Sequence, residues 1–354
     1  MGSRLRISII SIAVAAALVL GSIGVFRGRA DAAPALQPVG AHELLASAIR
    51  AAAVPFTISG DVTSSVDIGL PASLSGLGGG TAGPVAMLLG TQHYKVWRSP
   101  DGVRLAHLSD FGEQVAVANA SEAWFWDSNG MRAVHLSKDA VGTAGGSKAW
   151  FGPLVGSRSG MPQMDPSTLA AAALLGVSPY ADVAVAQTAV VAGRPVYDLV
   201  LTPTSPDTLI GSIAVSIDAA TRLPLQLAIT AKGANAPAIQ IGFTSVSFDP
   251  IEASVFTFTP PTGAAVTTPT PPTGWDRAPH RHDGERLEKE VFGSGFGTRI
   301  AVRLDHPLPD QAAALLPFGG PLFSVLTVHA DGSTWVLAGF VGLDTLREDA
   351  ATLP

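Results

Sequence analysis

The chain contains no cysteine. That excludes disulfides, thiolate metal sites, a cysteine nucleophile and lipid attachment to an N-terminal Cys. Charge is scarce as well. Asp, Glu, Lys and Arg make up 14% of the 354 residues, against ~25% in a typical soluble domain. Disordered chains show the opposite balance, so most of this chain folds. The formal net charge of −6 argues against a broad nucleic-acid surface. Motifs for common chemistry are missing too. There is no Gly-x-Ser-x-Gly, Ser-x-x-Lys, Walker loop or His-Glu-x-x-His. Gly78-x-Gly80-x-x-Gly83 matches a dinucleotide loop by letter, but lacks the preceding strand, the following acidic residue and a βαβ context. His280-x-His282-Asp283 has metal-ligand residue types. It sits in a stretch dense in both charges, which reads as a solvated face. Acidic residues such as Asp101, Asp110, Asp127 and Asp218 fall in turns, so no carboxylate pair asks for glycoside chemistry. The expectation is a non-enzyme with no cofactor and no metal.

What the chain does contain begins with Ile7–Phe26, twenty uncharged residues behind Arg4 and Arg6. A helix of that length spans a hydrocarbon core of ~30 Å. Ala30-Asp31-Ala32 is a small-x-small cleavage pattern, which favours a signal peptide over residues 1–32. The length of the run and Arg27 and Arg29 behind it favour an uncleaved anchor in the cytoplasmic membrane. Two arginines flank the run on each side, so the positive-inside rule favours neither orientation. Either reading places the body outside the cytoplasm, secreted or membrane-anchored.

The body alternates strands and turns. Ala41–Ala53 repeats apolar residues at helical spacing and Pro55 ends it. Phe56 to Ile68 reads as a long strand. Residues 92–136 form five short strand-like runs broken by Ser99-Pro100-Asp101-Gly102, Asp110-Phe111-Gly112, Asn119-Ala120-Ser121 and Ser128-Asn129-Gly130. Connections so short join antiparallel neighbours, so this is a meander. Asn119-Ala120-Ser121 fits a glycosylation acceptor, but Asn119 more simply serves its turn. Pro166–Val177 reads as an apolar helix with proline at its start. Five further strands run from Ala184 to Phe248. Residues 260–274 are a Pro/Thr-rich linker. Residues 275–354 form a small C-terminal segment with strands expected at Phe296–Leu304, Phe323–His329 and Thr334–Phe340. At about 80 residues it folds alone only marginally.

Several strands carry large apolar residues on both faces. Tyr94 and Val96 point one way and Trp97 the other, and Trp124-Phe125-Trp126 is aromatic throughout. Such strands belong to a sandwich core, to a sheet covered by helices, or to a sheet curved around a ligand.

Three segments resemble the LolA/RseB-type lipoprotein-carrier superfamily, which includes mycobacterial lipid-binding relatives. The first is Val117-Ala118-Asn119-Ala120-Ser121-Glu122-Ala123-Trp124-Phe125-Trp126-Asp127. The second joins Gly193-Arg194-Pro195-Val196-Tyr197-Asp198-Leu199 to Asp218-Ala219-Ala220-Thr221-Arg222-Leu223-Pro224-Leu225. The third is Phe256-Thr257-Phe258-Thr259-Pro260-Pro261-Thr262-Gly263. The resemblance implies a mainly β fold over residues 33–259: a curved antiparallel half-barrel with short helices on its concave face. It implies a non-catalytic carrier of lipid or lipoprotein acyl chains. The alternative is an RseB-like regulator that contacts an anti-sigma factor at the membrane. The pocket expected on this reading includes Tyr94, Val96, Leu105, Val115, Val117, Trp124, Trp126, Val134 and Leu136. Loops around Leu74–Leu77 and Trp150–Met164 are expected as its lid.

Overall fold

The computed structural model describes residues 34–69, 90–109, 112–137, 165–268, 288–304, 316–330 and 332–353, with the single positions 308 and 313. The N-terminal apolar run, the Gly78 pattern, the His280-x-His282 cluster and both expected lid loops lie outside them.

Helix α1 spans Ala41–Ala53 and helix α2 Pro166–Val177, the spans that periodicity predicts. The first strands are β1 (Ile58–Val66), β2 (Gly90–Ser99), β3 (Gly102–Ser109), β4 (Gly112–Asn119), β5 (Glu122–Asp127) and β6 (Arg132–Ser137). After α2 come β7 (Ala181–Val191), β8 (Arg194–Pro203), β9 (Ile210–Asp218), β10 (Pro224–Ala231) and β11 (Pro237–Ser247). A short β12 (Ala265–Thr267) follows, inside the Pro/Thr-rich stretch. All twelve form one sheet in the order β12-β6-β5-β4-β3-β2-β1-β11-β10-β9-β8-β7. Every pairing is antiparallel except that of β12 with β6. The two meanders therefore join through β1 and β11, the one long-range pairing at the centre.

A twisted sheet of this width cannot stay flat. It curves until β7 touches β11, although three strands separate them in the ladder. It nevertheless stays open, because edge strands β12 and β7 do not pair. A register shift between Asp61 and Val62 of β1 adds to the bend. The concave, or inner, face of β7–β11 is filled by the helices: α2 lies over β10 and β11, α1 over β7 and β8. Leu44, Ala48, Ala170 and Leu174 meet Leu199, Val215, Leu227 and Ile241 in one buried cluster.

Local chemistry fixes α2 in place. Asp165 caps it, accepting from the Thr168 backbone N–H at 2.9 Å. The same buried carboxylate pairs with Arg98 of β2 at 3.0 Å. Pro166 occupies the first turn, where a missing N–H costs nothing. Ser167 donates to the Pro224 carbonyl at 2.6 Å.

The Gly-Arg turn and the Asp-x-x-Thr hairpin form one hydrogen-bonded unit. Asp218 accepts from Arg194 at 2.6 and 3.0 Å, from the Thr221 N–H at 2.7 Å and from its hydroxyl at 2.8 Å. Burial pushes this carboxyl up, but Arg194 and Thr221 together outweigh it and hold it below the ordinary value. A lowered folded pKa contributes stability above the unfolded value of about 3.9, and that stability is lost as pH falls through the folded value. Asp218→Asn is therefore expected to lower the urea midpoint most at pH 7. The gap to the parent should narrow below about pH 4. A gap independent of pH would remove the carboxylate from this account.

Five strands nearer the C-terminus build a second sheet, ordered β13 (Lys289–Phe292), β14 (Arg299–Leu304), β17 (Ser333–Gly339), β16 (Ser324–Ala330), β15 (Phe318–Gly319). Where the sequence predicts a strand from Phe296, a short 3-10 turn at Gly295–Gly297 precedes β14. Helix α3 (Leu343–Ala350) covers one face, burying Trp335, Leu337 and Leu346. Arg299 donates twice to Asp349 of α3, both at 2.7 Å. This sheet is docked on the first. Leu209 N–H donates to the Phe340 carbonyl at 2.7 Å, and Phe296 and Leu322 enter the main core.

Candidate functional site

Strand register decides which side chains share a surface. On the inner face, Val96, Leu105, Ala116, Phe125 and Val134 form one row across β2–β6. Arg98, Val103, Ala118, Ala123 and Leu136 form the row on one side of it. Tyr94, His107, Gln114, Asp127 and Arg132 form the row on the other. The middle of this face is thus apolar and one border is polar. Val96 is 1% exposed where it meets the helix-covered core. Leu105, Ala116, Phe125, Val134 and Leu136 are only partly buried.

The middle of the outer face of the same strands is covered. Ala106, Val115, Val117, Trp126 and Ala133 are 1–5% exposed. The chain after β11 seals them: Ile251, Val255, Phe256 and Phe258 pack onto this cluster. Trp124 lies 5.7 Å and Trp126 6.1 Å from Phe258, ring centre to ring centre. Asn119 holds this segment, donating to the Phe256 carbonyl at 2.9 Å. Its Oδ1 accepts the Ser121 and Glu122 N–H groups at 2.8 and 3.1 Å. Asn119 thus serves its turn, as expected.

The nine residues expected as one pocket therefore do not come together. Tyr94, Val96, Leu105, Val134 and Leu136 are inner. Val115, Val117, Trp124 and Trp126 are outer, against the closing segment. The cause is the two-residue period of a strand: neighbours in sequence point to opposite faces. Phe125, which the expected set omits, is the inner aromatic. The signal for it is in the sequence, because Phe125 alternates with Trp124 and Trp126.

The polar border has its own geometry. The Tyr94 and His107 rings lie 5.0 Å apart, and His107 Nε2 is 2.8 Å from Gln92 Oε1. Burial pushes the Tyr94 hydroxyl up to about 12, against an opposing hydrogen bond from Ser64. Burial pushes the His107 imidazole below its ordinary value; Gln114 opposes this and the nearby His93 adds to it. Both groups are therefore neutral at pH 7. Among the described residues, no group of three or more His, Asp or Glu is placed to hold a metal ion. Also among them, no helix is long and apolar enough to cross a membrane. The arrangement offers an apolar floor with a hydrogen-bonding border.

No protein-family profile matches the chain, and no curated protein matches it. Among solved structures it is similar to a chain of the Pseudomonas aeruginosa MucA/MucB complex. The identity is 16% over 87% of this chain and 96% of that one, with a TM-score of 0.45. MucB alone gives 15% identity, 87% and 94% coverage, and a TM-score of 0.43. A LolA superfamily protein from Nitrosomonas europaea gives 7% identity, 62% and 99% coverage, and a TM-score of 0.23.

Proposed function

We propose that this chain is an exported, non-catalytic binding protein that carries acyl chains of lipids or lipoproteins on the inner face of β2–β6. The observation that supports this is an asymmetry. The middle of the outer face of these strands is buried under the chain's own closing segment, whereas the inner face keeps its middle row partly exposed. Each acyl methylene buried there contributes ~0.8 kcal/mol, so a chain of ordinary length supplies ample driving force. Leu105, Ala116, Phe125, Val134 and Leu136 form the floor, and Tyr94 and His107 the border. Mass spectrometry of an organic extract of the purified full-length protein tests this. A co-purifying acyl lipid is expected, along with saturable uptake of a fluorescent acyl ester by the stripped protein. Repeated absence of both would end the carrier reading.

One observation favours the alternative, a regulator that contacts a membrane protein. The face of the C-terminal sheet away from α3 carries Val291, Ile300, Val302, Val325 and Val336. Val291 is 47% exposed and the others are partly buried. Full-length protein as bait against detergent-extracted membranes is expected on this reading to retain a partner that Val302→Asp releases. Identical recovery with both would count against it.

A further inference from the structure

Two arginines lie at the end of the sheet where β7 turns into β8 and β9 into β10, and one of them lacks a counter-charge. Arg194 donates to both oxygens of Asp218, at 2.6 and 3.0 Å, with its guanidinium 4.8 Å from the centre of the Phe248 ring. Arg222 follows Asp218 by four residues in the β9–β10 hairpin. The Asp218 carboxylate is engaged by Arg194 and Thr221, and no ion pair joins Arg222 to any carboxylate among the described residues. Its guanidinium carbon lies 5.0 Å from the centre of the Tyr197 ring. Its Nη1 is buried and meets no hydrogen-bond acceptor. The backbone there is left-handed, with φ at 65°, an uncommon conformation for a residue with a long side chain. The hairpin imposes it: Arg222 N–H donates to the Asp218 carbonyl at 3.0 Å, and Leu223 N–H to the Thr221 hydroxyl at 3.3 Å. A cation is thus held in place, stacked on one side and unsatisfied at one nitrogen. A buried donor without an acceptor costs free energy until a partner from outside the chain supplies one.

The described part of the chain begins at the same corner. Thr188 and Tyr197 are cross-strand partners on β7 and β8. Thr188 donates to the Pro34 carbonyl at 2.7 Å, and Tyr197 to the Gln37 carbonyl at 2.8 Å. Arg222, Tyr197, Thr188 and Pro34 therefore adjoin one another in that order. In the sequence, only Arg27–Ala33 separates the apolar run Ile7–Phe26 from Pro34. A stretch that short reaches about 25 Å at most. A chain attached to a bilayer through that run presents this corner to the lipid headgroups. We propose that Arg222 binds the phosphate of an anionic phospholipid headgroup at the membrane surface. A guanidinium matches phosphate oxygens with two parallel N–H donors. This contact is separate from acyl binding on β2–β6 and does not depend on it.

The test uses full-length protein reconstituted in vesicles. The chain has no cysteine, so Ala220→Cys, at an exposed position two residues from Arg222, takes a single nitroxide label. Relaxation of the label by a nickel-chelating lipid reads its contact with the headgroups. The vesicles are phosphatidylcholine alone, or phosphatidylcholine with phosphatidylglycerol, at equal nickel-lipid content. With phosphatidylglycerol the nickel effect is expected to rise about fivefold, the increment for one arginine at an anionic surface. At ~1 M salt, where the Debye length is ~3 Å, the rise should disappear. Arg222→Asn should abolish it as well. Asparagine tolerates the left-handed backbone, and an unchanged urea midpoint verifies that the hairpin is kept. Millimolar inorganic phosphate should leave the rise in place; full suppression would make Arg222 a soluble-anion site and overturn the membrane source. Equal nickel effects in the two vesicle types, or a rise that survives Arg222→Asn, would overturn the proposal and leave the carrier reading standing.

Discussion

Replacing Leu105 by aspartate is expected to weaken binding of a neutral acyl probe about 100-fold, since a chain that loses contact with ~4 methylenes forfeits ~3 kcal/mol. Leu105 sits centrally in the inner row, between Val96 and Ala116. It is partly exposed, so the carboxylate can reach water and the fold should tolerate it. A charge there both removes apolar floor and repels the bound chain. Val134→Asp, at the far end of the same row, should act in the same direction with a smaller effect. Lys95→Ser supplies the control. Lys95 lies on the outer face, exposed, 3.3 Å from Asp61, and an exposed pair of that kind contributes ~0–1 kcal/mol. Its loss should leave probe affinity unchanged. Titration of probe fluorescence, with circular dichroism to verify folding, reads all three. Equal losses for Leu105→Asp and Lys95→Ser would mean that the binding surface is not the inner face.

Local signals carry most of the secondary structure. Both large-domain helices and strand β5 end where periodicity and turn residues place their ends, because Asp165-Pro166 opens α2 and turns such as Ser128-Asn129-Gly130 punctuate the strands. Elements whose reason to form lies elsewhere in the chain are not visible locally. β12 pairs with β6 because the closing segment is held on the outer face, and Ala265-Val266-Thr267 alone carries no strand signal. Helix α3 is short and polar on one side, and it depends on Trp335, Leu337 and the Arg299–Asp349 pair. The site is half legible for a similar reason. Alternation within a strand sorts residues into two faces, but does not say which face the closing segment covers. Trp124 and Trp126 are, with Trp97, the largest side chains of the meander and, by sequence, suggest a ligand platform. Their partner is instead Phe258, more than 130 residues away in sequence. Of the aromatic triplet, only Phe125 is left facing inward.

That division of faces leads to the second large effect. Phe256→Ala is expected to destabilise the protein by ~3–5 kcal/mol, the range for removing a buried phenylalanine. Phe256 is 1% exposed and lies directly on β3. A Cβ built on Gly102 would meet its Cβ at 2.7 Å, so the ring rests on bare backbone. Around it are Ala106, Val115, Val117 and Trp126. Few polar contacts hold the segment besides: Asn119 to the Phe256 carbonyl at 2.9 Å and Arg104 to the Val255 carbonyl at 3.3 Å. Without the ring these bonds have no packed partner to hold them, and residues 251–264 should lift from the outer face. At ~2–4 °C per kcal/mol for a chain of this size, the melting temperature should fall by about 10 °C. Tryptophan emission should shift to the red as Trp124 and Trp126 meet water. Gly102→Ala attacks the same contact from the other side and should reproduce both changes. Probe affinity measured well below the transition should stay within a factor of about two, since ~0.4 kcal/mol or less reaches the inner face through an intact backbone. A melting temperature within about 3 °C of the parent's would mean the closing segment is ornament on the outer face and not its seal.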